Sequence, residues 1–415
     1  MDKTIVILST LDTKGEETKY LKEQIEMQGC QALIIDLGTR GEASIPADIT
    51  REEVLAAAGK DIDPEALKKD RPRLIQAMID GAAQKVRELY RAKKVSGIIG
   101  IGGATNTLMS TGVMKALPFG IPKLMVSSNA SARGFASRYF GASDIAIMHS
   151  VIDFTGLNDL IRDVLDRAAG SIVGMVNKRA FYSSFNDLKK QGKPRVAMTM
   201  LNMCEQCAEY VKRHLEDDGY QVIGFSATGV PDMAMEELIE KEGIFSAVID
   251  LAPGAVAEEL LGGTRAAGPH RLEAAGKVGI PQIIAPCLVN LMTPPKSKYK
   301  PEYHSRKKYD LDAYRSYLRL SPEEFRMIAE VYARKLNQSK GPVKFIIPTR
   351  GWSGIDCEGT VLYDPQEDRI FVEELKKHLR SDIEVREVDA NLEEVPFAEA
   401  ILKAFKEVMS MAEAS

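Results

Sequence analysis

The chain is poor in the side chains that most often carry redox or nucleophilic chemistry. Its 415 residues include five cysteines, five histidines and one tryptophan. An odd, low cysteine count in so long a chain fits a reducing compartment better than a disulfide framework. Apolar runs are short as well: none approaches the roughly 20 residues that span a bilayer. The opening "MDKTIV" lacks a signal peptide's apolar core and cleavage site, so a cytoplasmic protein without membrane association is expected. Charge of one sign is not in excess either, since 55 basic against 59 acidic residues leave a formal net charge of -4. General attraction to nucleic acid is not expected, and any anion site has to be local.

Catalytic signatures are equally sparse. There is no G-x-S-x-G elbow and no H-x-x-x-H pair, and His149, His214, His270, His304 and His378 are scattered. Of these, His270 in "GPHR" is the one near a proposed ligand loop, while His214 and His378 fall in helical patterns. No catalytic residue is assigned. "CEQC" sets Cys204 and Cys207 near a helix start, where the dipole lowers a thiol pKa. With no second pair for zinc, these cysteines read as structural or ligand-lining, and no metal is assigned.

What the chain has is alternation. Apolar runs at 5–8, 32–35, 97–101 and 123–127, then at 195–199, 221–225, 247–251, 282–285 and 343–347, are separated by helical patterns. That is the signature of parallel α/β sheets. The halves also match each other. A shift of 190 residues sets Leu11 on Leu201, Asp12 on Asn202, Tyr20 on Tyr210 and Gly29 on Gly219, and "GIPKLMVSS" answers "GIPQIIAPC". Two duplicated, doubly wound (Rossmann-like) α/β domains with mainly parallel sheets are therefore expected, spanning 1–190 and 191–415. The polar "FNDLKKQGKPR" is the linker between them. An extra segment at 46–91 in the first half is expected to cover the rim of the site or a partner surface. The basic, tyrosine-rich "PPKSKYKPEYHSRKKYDLDAYRSYLRL" is a candidate lid, followed by "SPEE", a helix start with Ser321 as N-cap and Pro322 at the first helical position.

In such sheets ligands bind beyond the carboxyl ends of the strands, at helix N-termini. The opening stretch "TIVILSTLDTKGEET" runs from a strand into a turn holding Thr13, Lys14 and Gly15. Lys precedes Gly and no upstream glycine exists, so this is not the phosphate loop G-x-x-x-x-G-K-[ST]. "GIIGIGGATNTLMSTG" offers Gly102 and Gly103 for close backbone approach and Thr105, Asn106 and Thr107 as donors; the alternative is a tight turn capped by Thr105. "MVSSNASARGF" gathers Ser127, Ser128, Asn129 and Ser131 before Arg133. Asp36 closes a strand where a ribose is often held, or else is a turn residue. In the second half Thr228, Gly229, Gly262, Gly263, Arg350 and Gly351 are cleft candidates, the glycine pair at 262–263 reading equally as a helix stop.

The stretches "TLDTKGEE", "GIIGIGG", "LPFGIPKLMVSS", "SVIDFTGLN", "SATG", "GPHRLEAAGKVGIPQ", "LRLSPEE", "GPVKFIIPTRG" and "YDP", in this order, resemble the ATP-binding family typified by the tomato resistance protein that blocks tobamovirus RNA replication. The resemblance implies two Rossmann-like domains, ATP with or without magnesium in the N-terminal half, and self-association into a homo-oligomer. It supports nucleotide contacts at Thr13, Lys14, Gly15, Gly102, Gly103 and Thr107. Where the family has GGSGGT this chain has "GGATNT", and HATGxGG becomes "SATGVPD", with Ser226, Pro231 and Asp232 at the changed positions. The leading expectation is a nucleotide-binding protein with its ligand at the strand-end loops near the interdomain cleft. The alternatives are an enzyme on a phosphorylated or carboxylated metabolite, using Cys207, His270 or Arg350, and a regulator that binds a macromolecule.

Overall fold

A computed structural model of the chain describes residues 3–59, 69–132, 134–135, 139–178 and 192–414. It forms two compact units, Met1–Phe181 and Tyr182–Ser415. Most of the expected linker, and Arg133, lie outside the described residues.

The first unit runs β1 (Thr4–Ser9), α1 (Leu11–Met27), β2 (Gln31–Asp36), α2 (Arg51–Ala57), α3 (Arg71–Arg91), β3 (Gly97–Gly102), α4 (Ala104–Met114), β4 (Lys123–Ser127), β5 (Ala146–His149) and α5 (Asp159–Asn177). The strands are parallel in the order β2-β1-β3-β4-β5. The runs Ile5–Leu8 and Ile98–Ile99 are buried because helices cover both faces of the sheet. α1 and α5 pack on one face through Leu21, Ile25, Ile161 and Leu165. On the other face Val54, Leu74, Met78 and Val86 of α2 and α3 join Met109 and Val113 of α4. The extra segment is thus the β2–β3 crossover and one of the sheet's covering layers. α2 and α3 touch so closely at Gly81 that a Cβ there would lie 1.9 Å from the Val54 carbonyl oxygen. Because α1 and α4 leave β1 and β3 toward opposite faces, the switch point of the sheet opens between the carboxyl ends of these two strands.

The second unit repeats the plan with β6 (Arg195–Met200), α6 (Glu205–Asp217), β7 (Gln221–Ser226), α7 (Val230–Glu237), β8 (Ala247–Asp250), α8 (Ala255–Leu261), α9 (Ala274–Val278) and β9 (Gln282–Ile284). Next come β10 (Leu291–Met292), β11 (Lys308–Asp310), β12 (Ser316–Arg319), α10 (Pro322–Leu336), β13 (Val343–Pro348), α11 (Pro365–His378), β14 (Glu384–Val388) and α12 (Val395–Glu413). Its parallel sheet is ordered β14-β13-β9-β8-β6-β7. Without β14, this is the first unit's order, as the internal sequence match requires. The basic, tyrosine-rich stretch holds β11 and β12 of a small antiparallel sheet, β10-β12-β11. It is anchored by Arg306 on Glu324 at 2.6 Å and Lys307 on Asp364 at 2.6 Å, with Tyr303 buried. Ser321 caps α10 in a full capping box with Glu324. Among the described residues no helix is long and apolar enough to cross a membrane.

Candidate functional site

The first unit's switch point is assembled by side chains from four strand ends. At the end of β2 Asp36 accepts from the Leu11 N–H at 3.0 Å and the Gly38 N–H at 2.8 Å, fixing the β1–α1 turn against the next loop. Burial pushes its carboxyl pKa up against the pull of those two N–H groups. Asp12 Oδ2 fills the neighbouring loop, accepting from the backbone N–H groups of Thr39, Arg40 and Gly41 at 3.1, 2.8 and 3.1 Å. Gly15 is needed for packing, since a Cβ there would lie 2.0 Å from Ser44 Oγ. Thr13 is exposed, its hydroxyl 3.0 Å from that of Thr10. Lys14 interrupts the helical dihedrals of α1 and donates its ammonium to the Phe154 carbonyl. It is half-buried and engaged rather than a free turn residue.

Beyond β3, Gly102 takes φ +145° and Gly103 serves as the N-cap of α4. Among the described residues no side chain caps this helix, and Gly103, Ala104 and Thr105 are at least partly exposed. Its first-turn N–H groups and dipole make a candidate anion seat. Asn106 turns inward, donating to the carbonyls of Leu8 at 3.2 Å and Ile101 at 2.6 Å, which ties β1 to β3. Thr107 is buried, 2.7 Å from Ser127 Oγ, and Ser127 Oγ accepts from the Asn129 N–H at 3.1 Å. At the seat's edge Ser128 donates to Asp153 Oδ1 at 3.0 Å, and Arg71 to Thr105 Oγ1 at 3.3 Å. Asn129 donates to the Tyr139 hydroxyl at 3.0 Å, and Ser131 is exposed.

The residues 150–157 close this assembly. Phe154 receives Lys14, its N–H donates to Asp153 Oδ1 at 2.9 Å, and the Gly156 N–H donates to Glu17 Oε1 at 2.9 Å. The opening turn, the α4 start and the Ser127–Asn129 loop are thereby joined. Asp153, Asp12 and Arg71 escaped the reading of the sequence; the one signal for Asp153 was its place in the quoted "SVIDFTGLN".

The second-unit candidates do other things. Gly229 takes φ +98° and its N–H donates to Asp232 at 2.7 Å, making the turn into α7, with Thr228 Oγ1 3.4 Å from Ser226 Oγ. Gly262 is the left-handed C-cap of α8 and Gly263 packs on Glu258, the helix-stop alternative. Gly351, at φ +101°, lies where a Cβ would sit 1.9 Å from the Asp356 carbonyl oxygen. Arg350 pairs with Glu394 at 2.6 Å, and the exposed His270 with Glu273 at 3.1 Å. Cys204 and Cys207 are buried, and burial raises the Cys207 thiol, overriding the dipole effect expected at that helix start. The N-terminus of α6 is already filled, the Cys207 N–H donating to Glu393 at 3.0 Å. Gly254, before α8, presses so closely on Leu288 that a Cβ would lie 2.4 Å from its carbonyl oxygen. The starts of α1 and α6 are thus each filled by a carboxylate, and of the other pair α8 starts buried against Leu288 while α4 starts exposed. For a metal, the described residues bring Glu330, Glu374 and His378 within 4.8 Å, a surface cluster in which Glu374 is bound to His378 at 2.9 Å and to Lys377 at 2.9 Å.

Residues 3–181 match the N-terminal domain, and residues 193–409 the C-terminal domain, of the uncharacterised protein family UPF0261. The chain belongs to the UPF0261 family. A UPF0261 protein of Clostridium tetani is 37% identical over 411 residues, covering 99% of this chain and 100% of the relative. One from Rhizobium meliloti is 33% identical, covering 98% and 99%. The ToMV resistance protein Tm-1(GCR237) of Solanum lycopersicum is 27% identical over 422 residues, covering 97% of this UPF0261 chain and 55% of the tomato protein. Among solved structures, the UDP-GlcNAc 2-epimerase of Neisseria meningitidis aligns with 10% identity and a TM-score of 0.23, over 68% of this chain and 82% of that one. Acinetobacter baumannii MurG aligns with 10% identity and a TM-score of 0.22, over 98% and 91%.

Proposed function

We propose that the first unit of this UPF0261 protein binds an adenine nucleotide, with its phosphates on the N-terminus of α4. The observation that carries the reading is the contrast between the duplicated sheets. One leaves the N-terminus of α4 exposed beside Thr105 and Ser128 at its switch point, while its counterpart in the other, α8, starts at a buried Gly254 packed on the Leu288 backbone. A site retained open in one copy of a duplicated fold is where a ligand belongs. The phosphate part of the proposal rests on this geometry, and the adenine part on the resemblance to an ATP-binding family. Asp153 stands beside the seat as an exposed carboxylate. A divalent cation between it and the phosphates removes the repulsion, so the ligand is the magnesium complex. Asn106, turned away from the seat, does not obstruct it. Thermal unfolding with millimolar ATP, with and without magnesium, tests the reading, because a ligand that binds only the native state raises the melting temperature. A shift with magnesium supports it. No shift in either condition, or a larger one with a non-nucleotide phosphate, overturns it.

A further inference from the structure

In the second unit two aspartates share one donor. Asn290 Nδ2 donates to Asp356 Oδ2 at 2.7 Å and to Asp368 Oδ1 at 2.9 Å, so a single amide bridges both carboxyls. Asp356 Oδ2 also accepts from the Trp352 N–H at 3.0 Å, and Asp368 Oδ1 from Arg319 Nη2 at 2.6 Å. The other oxygen of each carboxyl is buried and, among the described residues, has no hydrogen-bond partner; the same holds for Asn290 Oδ1 and Ser353 Oγ. Asn290, Ser353 and Asp356 are 0% exposed and Asp368 4%. Arg319 comes within 3.5 Å of Asp356 Oδ1, but its donors are directed at Leu362, Asp364, Glu367 and Asp368.

We propose that Asp356 and Asp368 are a carboxyl–carboxylate pair that shares one proton, carried on one of the two donorless oxygens, Asp368 Oδ2 or Asp356 Oδ1, so that the second unit gains stability in acid. The proton supplies the one donor the pair lacks. It also removes the surplus charge of two buried carboxylates facing one guanidinium, which cannot both ionise at little cost. Burial first, and then the charge of Asp356, push the Asp368 pKa up to about 8, against the pull of Arg319 and Asn290. The pair titrates as a unit. The charged groups around it are Arg319 at the end of β12, and Asp364 and Glu367 at the start of α11, Asp364 being bound to Lys307 at 2.6 Å. α10 packs on α11 through apolar residues such as Tyr332 on Phe371, and its Glu324 is paired with Arg306.

The folded pKa lies above the ordinary carboxylate value, so the native chain binds the extra proton between the two. The added stability is complete below about pH 4 and is lost as pH rises toward 8. Over the middle of that window the loss of one native-state proton makes the unfolding constant rise by up to about tenfold for each unit by which the pH increases. Trp352, the chain's one tryptophan, is buried beside the pair and reports locally by fluorescence. Denaturant unfolding of the full chain at pH 5, 6, 7 and 8 should show the one-proton slope in wild type. The slope should vanish in Asp368→Asn, which keeps a donor but has no proton to lose, and should fall in Asp356→Asn, which removes the like charge and leaves the burial in place. Should either variant fail to fold, the infrared band of a protonated carboxyl, present in wild type at pH 7 and lost in the other, decides. An unchanged slope in the folded variants, or no protonated-carboxyl band in wild type, overturns the proposal. So does stabilisation of wild type but not Asp368→Asn by magnesium, calcium or potassium, which would assign the four bare oxygens to a cation.

Discussion

Ser128 donates its hydroxyl to Asp153 at 3.0 Å directly over the start of α4, the two oxygens lying 3.6 and 3.7 Å from where a Cβ on Gly103 would be. A hydroxyl and the carboxylate it donates to thus stand side by side at the positive end of a helix, and in the proposed function they border the ligand.

Asp153→Asn should separate magnesium-dependent from magnesium-independent binding. Loss of the carboxylate weakens Mg·ATP by about tenfold or more, the scale of a charged contact, and leaves metal-free nucleotide unaffected or tighter. Calorimetric titration at fixed nucleotide with and without magnesium reads this directly. Equal weakening in both conditions would place Asp153 outside the metal's reach.

Lys14→Ala removes the ammonium that holds the Phe154 carbonyl. We expect a stability loss of about 1 kcal/mol, since the lysine is only partly buried. Nucleotide affinity should fall as well, because residues 150–157 carry Asp153. Proteolysis or hydrogen exchange of that segment should increase in the variant; unchanged protection would detach Lys14 from its ordering.

Asn106 and Thr105 are adjacent in sequence and opposite in duty. Asn106→Ala breaks the bonds to Leu8 and Ile101 in a buried setting, so it should destabilise the fold by about 1–3 kcal/mol. Thr105→Ala, at the partly exposed seat, should leave the melting temperature near wild type and weaken the ligand. Denaturation and titration of the two variants test the division; the reverse pattern would exchange their roles.

Helix glycines give a contrast in packing. Gly81→Ala drives a methyl into the Val54 carbonyl, a backbone atom that cannot swing aside, and should cost about 1–3 kcal/mol. Gly170→Ala on α5 meets nothing within 4 Å and should stabilise by up to about 1 kcal/mol through helix propensity. A melting temperature that does not fall in Gly81→Ala would contradict the α2–α3 contact.

The layers of the fold were legible because hydrophobic period and turn chemistry are local. The strand runs, the repeat that became two sheets of matching order, and the Ser321 capping box could all be read from neighbours within a few residues. β5, β10, β11, β12 and β14 were not, since β10 has only two residues and the others are short runs interrupted by polar or charged side chains. Of the candidate site, the glycines and hydroxyls of 102–107 and 127–129 stand out in sequence, but what each one does depends on distant partners. Lys14 meets a carbonyl 140 residues away and Ser128 a carboxylate 25 residues away. Local pattern equally concealed that Asn106 points inward, that Asp36 accepts from the Leu11 and Gly38 N–H groups, and that Gly15 is needed for packing. The buried pair at Asp356 and Asp368 joins segments brought together by β12, β13 and α11, with no motif to announce it.

The central claim is that the open N-terminus of α4 holds the ligand's phosphates. Thr105→Glu places a carboxylate in that seat, where an acidic side chain in the first turn suits the helix dipole and Arg71 stands near to pair with it. The decisive measurement is the melting temperature of wild type and of this variant, each with and without millimolar Mg·ATP. We predict a rise for wild type, no rise for Thr105→Glu, and a ligand-free melting temperature for the variant at or above that of wild type. An equal ligand-induced rise in both proteins, or none in wild type, would contradict the account.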